Sequence, residues 1–217
     1  MTETVWVSDS FLNVTIMSKL SVIADILFPS DMRSESSLAE SERLEKIQHK
    51  YKTGVGLLDE EIYSQAYGNF PERRIKALPH FFLVNQFFVV STMFAAVLSR
   101  FDLGKGGLFP MELFQGNRTE RIPGEWYFLN LGCVKRAFLP EKSSSRCEQW
   151  PNGQWCLDLP KDDEIAVSSS ALDGCDLWVD PQLTRVFFLS GRLEAALKAA
   201  KLTRTLRRAR CTVVHEG

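Results

Sequence analysis

Phe81 to Ser99 reads FFLVNQFFVVSTMFAAVLS, 19 residues without a charge. That is close to the ~20 apolar residues needed to cross a bilayer. The stretch therefore forces a choice between a membrane span and a deeply buried piece of a globular core. Asn85, Gln86, Ser91 and Thr92 divide it into two shorter apolar pieces. The favoured reading is a buried strand followed by a core-facing helix, because a related segment elsewhere in the chain carries charge.

That segment is 186–202, VFFLSGRLEAALKAAKL. Set without gaps against 87–103, FFVVSTMFAAVLSRFDL, it matches at Phe88/Phe187, Ser91/Ser190, Ala96/Ala195, Leu98/Leu197 and Leu103/Leu202. In both, a β-prone run ends in a Ser suited to capping a helix, its hydroxyl accepting from an orphan amide of the first turn. Phe94, Val97, Leu98 and Phe101 then form one apolar stripe, and Leu193, Ala196, Leu197 and Ala200 another. The second copy places Arg192, Glu194 and Lys198 on its outer face, which a span would not tolerate. A strand candidate follows each helix, Leu108 to Phe114 and Cys211 to Val214. The expected unit is strand–helix–strand, used twice.

Between the copies the sequence is β-rich. Glu125 to Leu131 and Asp173 to Val179 read as strands. Gln149 to Leu159 holds Asn152-Gly153, a favoured hairpin turn pair that would set Trp150 across from Trp155. Nearer the N-terminus, Ser37 and Glu40 fit a capping box, Leu44, Ile47 and Tyr51 form a stripe, and Gly54 is a natural stop. The expected fold class is α+β: a mixed β-sheet core with two strand–helix–strand repeats, plus a mostly helical N-terminal lobe. The expected division is 1–75 for the helical lobe and 76–217 for the α+β domain, with Pro71 and Pro79 bracketing the join.

At 217 residues, 45% apolar and 24% charged, the composition is that of an ordinary globular protein. The net charge of −1 argues against a general polyanion binder, whose affinity rests on neutralising phosphates. The charge is unevenly spread. Residues 141–180 hold nine acids and three bases, whereas 181–217 hold eight bases and two acids. The blocks either pair with each other or face solvent on different sides. The five cysteines are irregularly spaced and read as free thiols in a reducing cytosol. The start MTETVWVSDSF lacks the basic segment of a secretory signal, so a cytoplasmic protein is expected.

Local signatures of catalysis are missing: the sequence has no GxSxG, HExxH or CxxC. Cys211 and His215 make at most half a metal site. His80 is the one histidine placed to act as a general base, and a structural role suits it better. Gly104-Lys105-Gly106-Gly107 follows a helix rather than preceding one, so it reads as a helix C-cap and not a phosphate cradle. Asp162, Asp163 and Glu164 read as a solvated acidic loop. No catalytic residue, metal ligand or cofactor site is expected, and a binding protein is favoured over an enzyme.

Three segments carry a family resemblance: FFVVSTMFAAVLSRFDLGKGGLFPMELF at 87–114, WYFLNLGCVKRAFLPEKS at 126–143 and DLWVDPQLTRVFFLSGRLEAALKAAKL at 176–202. Together they resemble the bacterial polymorphic-toxin immunity family numbered eleven, formerly a domain of unknown function, over about residues 78–214. Ser91, Ser190, Asn130, Glu141 and Ser143 sit at matching positions. The resemblance implies a non-catalytic cytoplasmic bacterial protein that binds a cognate toxin or effector, encoded by an adjacent gene, and occludes its active site. It implies no cofactor, and no nucleic-acid or membrane partner is expected. The expected partner surface is an acidic patch beside an aromatic hairpin: Trp150, Trp155, Asp158, Asp162, Asp163 and Glu164. Alternatives are an adaptor or loading factor for a secreted effector, or a small enzyme with a dispersed active site.

Overall fold

Asn85 and Gln86 both take positive φ, 46° and 68°. Two such residues make the turn whose twist suits a tight hairpin. They fold the uncharged stretch into strands 81–84 and 87–91 followed by helix 92–98, where one strand and a helix were expected. Both strands are buried along their whole length. Among the described residues no helix is long and apolar enough to cross a membrane.

The computed structural model describes residues 3–23, 35–144, 147–157 and 159–215. In chain order these hold β1 (Val5–Ser8), β2 (Leu20–Ser21), α1 (Glu35–Lys52), β3 (Gln65–Gly68), β4 (Phe81–Val84), β5 (Phe87–Ser91), α2 (Thr92–Leu98) and β6 (Gly107–Phe114). Next come β7 (Trp126–Asn130), β8 (Glu148–Gln149), β9 (Trp155–Cys156), β10 (Ala166–Ser168), β11 (Leu177–Trp178) and β12 (Leu183–Thr184). The last are β13 (Phe187–Ser190), α3 (Gly191–Ala199), β14 (Ala209–Arg210) and β15 (Thr212–Val214). The fold class is α+β.

The largest sheet runs β2-β3-β6-β7-β5-β4. Met17, just before β2, bridges Leu83 of β4, and the Ser18 amide donates to the Leu83 carbonyl at 2.9 Å. The two edges are thereby nearly joined, which removes most of the unpaired backbone an open edge would expose. Helix α1 sends Leu44, Ile47 and Tyr51 into this core, as the stripe predicts. The Tyr51 hydroxyl donates to the Leu129 carbonyl at 2.7 Å and accepts from the Phe88 amide at 3.2 Å. Gly54 follows the helix with φ 72°. The helix begins at Glu35, so Ser37 lies inside it rather than at its cap; the Ser37 side chain lies outside the described residues.

A second sheet runs β11-β13-β1-β14 and separates two apolar cores. Side chains alternate across a strand. Phe187 and Leu189 accordingly enter the core of the large sheet, while Phe188, Val5 and Val7 enter a smaller core with Trp178, Phe138 and Leu183. The N-terminal strand β1 is thus an inner strand, paired with β13 and β14, and β3 pairs with β6. The described residues before 76 supply β1 to one sheet and β2 and β3 to the other, besides helix α1, where a mostly helical lobe was expected. The short VWVS run carries no local sign of this, because its partners lie near the other end of the chain.

Ser91 and Ser190 are the N-caps of α2 and α3, accepting from the Phe94 and Leu193 amides. Helix α2 ends at Leu98 with Ser99 as its cap, so Gly104 is not the C-cap. The glycines after it permit close backbone approach: a Cβ on Gly106 would lie 2.3 Å from the Asn130 carbonyl oxygen. Cys133 and Cys175 form a disulfide, which corrects the expectation of five free thiols; Cys147, Cys156 and Cys211 remain free. The pairing was hidden because 42 residues separate the partners. Burial raises the Cys147 thiol to about 11 and also pushes the Cys211 thiol up.

Candidate functional site

Where the edges of the large sheet meet, a cleft of ≈ 650 Å³ opens between residues 15–19 and 68–79. Its floor is the buried pair Ile16 and Phe82. Its walls are pinned by backbone: the Asn69 amide donates to the Lys19 carbonyl at 2.8 Å, and the Ser18 hydroxyl donates to Leu83 at 2.7 Å. The 71–79 segment has no regular structure. It is held by the buried Gln115, which accepts from the Ile75 amide at 2.8 Å and donates to the Ile75 carbonyl at 2.9 Å. A buried amide that mimics a backbone pairing fixes a loop as a strand neighbour would.

Four cations line this cleft, Lys19, Arg73, Arg74 and Lys76, and among the described residues its lining includes no carboxylate. Arg74 pairs with Glu120 outside the cleft. The Arg73 guanidinium lies 4.9 Å from the centre of the Phe70 ring. Phe70 and Met17 remain 36% and 51% exposed on the lining, large apolar side chains left in water beside the cations. Sequence reasoning missed this site. Its residues come from two unperiodic segments, and only the exposed Lys and Arg after Pro71 hinted at it.

The residues expected to bind a partner are placed differently. The hairpin register pairs Gln149 with Trp155, and the Trp150 amide donates to the Gln154 carbonyl. The loop is one residue longer than a two-residue turn, so Trp150 and Trp155 do not face each other. Trp155 packs edge-on against Phe138 at 6.2 Å, half-buried on the smaller core. Trp150 lies under the Arg185 guanidinium at 5.4 Å. Asp163 receives a two-pronged bond from Arg210, which holds its carboxyl below the usual carboxylate range. Asp162 accepts from the Arg210 amide at 2.8 Å, and Glu164 from the Lys161 amide at 2.9 Å. Asp158 lies outside the described residues.

The opposed charge blocks meet at two ion pairs, the first of them at the surface. Arg210 pairs with Asp163 and Arg192 with Asp176, each joining the basic block to the acidic one. Arg207 pairs with the buried Asp9, and Arg208 with Glu194. Glu194 is buried, not on the outer face of its helix as the periodicity suggested. Asp176 is opposed by burial, but the Arg192 and Ser190 hydrogen bonds prevail and its carboxyl sits low. Buried Asp180 accepts from the Ala137, Phe138 and Gln182 amides.

His80 Nδ1 lies 2.8 Å from the Ser91 hydroxyl, a base beside a potential nucleophile. The same construction recurs at the other helix, where the Ser190 hydroxyl donates to Asp176 at 2.5 Å. In each case the Ser caps a helix, and its amide bonds to the carbonyl of the same residue whose side chain meets its hydroxyl. A carboxylate stands at the second cap where the histidine stands at the first, so both pairs buttress a helix cap. Asn130 plays a comparable structural role, clamping both backbone groups of Leu57. Ser143 accepts from the Ala166 amide and donates to Leu139. Comparison with known proteins returns no matching family model and no matching curated protein.

Proposed function

We propose that this chain is an immunity protein of the polymorphic-toxin type. It binds a cognate toxin or effector and covers that protein's active site, with no chemistry of its own. The observation that carries this reading is the basic, apolar-floored cleft with its walls pinned in place. A preformed recess with exposed aromatic and aliphatic side chains suits a protein ligand, because little ordering remains to oppose binding. The resemblance over residues 78–214 supports the same reading. So does taking the two strand–Ser–helix passages, each buttressed at its cap, as equivalent halves of one scaffold. Nucleic acid is disfavoured as the ligand: net charge is −1, and Arg192, Arg207, Arg208 and Arg210 are already matched to carboxylates.

The resemblance places this action in the bacterial cytoplasm, whereas the Cys133–Cys175 bridge favours an oxidising setting. Alkylating free thiols at the moment of lysis decides between them. The His80–Ser91 pair is the one observation favouring an enzyme; His80→Ala that leaves toxin protection intact removes it. Co-expression with the toxin-like product of the neighbouring gene tests the main proposal. An immunity protein restores growth, whereas an adaptor forms a complex and leaves the cells to die.

A further inference from the structure

We infer that the cleft takes an extended acidic segment of the partner protein, with an apolar side chain at its centre. This deepens the immunity reading and rests on it for the partner's identity. Three cations of the lining, Lys19, Arg73 and Lys76, have no carboxylate partner among the described residues, whereas Arg192, Arg207, Arg208 and Arg210 are each paired. Cations left without partners around a recess set up a positive potential that selects an acidic ligand and speeds its arrival.

The floor adds a second requirement. Met17 and Phe70 expose apolar surface to the recess, above Ile16 and Phe82. A purely ionic ligand would leave that surface wet, whereas an apolar side chain flanked by carboxylates satisfies both. Such a central apolar anchor within a polar rim is the usual anatomy of a protein hot spot. The amides of Lys76, Ala77 and Leu78 make no hydrogen bond within the described residues. Backbone left unpaired along one wall offers an incoming extended chain main-chain partners, as in strand addition.

The test uses the full chain and fluorescein-labelled short peptides read by anisotropy. One peptide is rich in Asp and Glu around a central Leu-Phe, a second has Lys for its acids, a third has Ser for Leu-Phe. The acidic peptide with the apolar centre is expected to bind best and to weaken with salt. Lys19→Glu/Arg73→Glu/Lys76→Glu, all at exposed positions, should weaken it about tenfold, at about twofold per surface charge. Phe70→Ala should reduce binding with no change in salt dependence. Equal binding by the charge variant overturns the inference, as does stronger binding of a short oligo-dT strand than of the acidic peptide.

A second arm separates this inference from the function it rests on. Cells co-expressing the toxin survive with wild type and die with the folded charge variant if both hold. Survival with both proteins, where the charge variant also binds the acidic peptide as tightly as wild type, removes the cleft and leaves immunity standing. Death with both removes immunity, and the peptide titration alone then decides the cleft.

Discussion

Removing the Cys133–Cys175 bridge gives the sharpest number the structure supplies. The bond closes a loop between residues 42 apart, and loop-closure entropy for that length gives about 4 kcal/mol of stabilisation. The enclosed segment supplies Phe138, Leu157, Ile165 and Val167 to the smaller core, so the unfolded state is constrained where that core must assemble. Unfolding entropy of roughly 2.1 cal/mol/K per residue over the 217 residues converts this to a drop of about 9 °C in Tm. The bridge is also closely fitted. A Cβ on Gly104 would sit 3.0 Å from Cys133 Cβ and 3.2 Å from Cys175 Sγ. Two assays check it on protein prepared without reductant. Denatured protein should titrate with a thiol reagent as three cysteines, and as five after reduction. Calorimetry of Cys133→Ala/Cys175→Ala should show the lower Tm, matched by reduced wild type. Five thiols before reduction, or equal melting of all three samples, refutes the reasoning and restores the free-thiol expectation.

Other perturbations follow from single buried contacts. Tyr51→Phe should lose about 2 kcal/mol in urea unfolding, since the Leu129 carbonyl and Phe88 amide both lose a buried partner. Asp180→Ala leaves the Ala137 and Phe138 amides buried without an acceptor and should lose about 3 kcal/mol, with Asp180→Asn losing less. Burial lowers the Lys135 amine to about 8, against the opposing pull of Asp176, Asp173 and Asp102. Its unfolded value is near ~10.4, so between pH 8 and that value the unfolded chain holds more protons and stability rises with pH. Wild type should therefore gain stability relative to Lys135→Met as pH climbs from about 8 to about 10; a constant difference in urea midpoint contradicts this.

Features written within one turn of chain were legible in the sequence. The Leu44–Ile47–Tyr51 stripe is buried, and Ser91 and Ser190 cap their helices, because these depend on residues three or four apart. Strand β6 was equally local, its bounds differing by one residue from those expected. What required distant partners was not legible. VWVS looks like any short apolar run until β13 pairs with it, and Cys133 looks free until Cys175 arrives. The acidic and basic blocks were visible as blocks. Only the fold shows Arg210 on Asp163 and Arg192 on Asp176, so one acid of the expected patch, Asp163, has a cation opposite it. The Trp hairpin failed by one residue of loop, enough to separate the two rings and seat Trp155 against Phe138. The cleft was least legible, since Lys19, Arg73 and Lys76 share no period and meet only where the sheet edges join.

The most direct measurement of the central claim is a titration of the purified toxin domain with this protein, read as the toxin's own activity. Tight occlusion predicts a linear fall to zero at a fixed, small stoichiometric ratio, with the complex recovered by gel filtration. Full toxin activity at a large excess of the folded protein contradicts it.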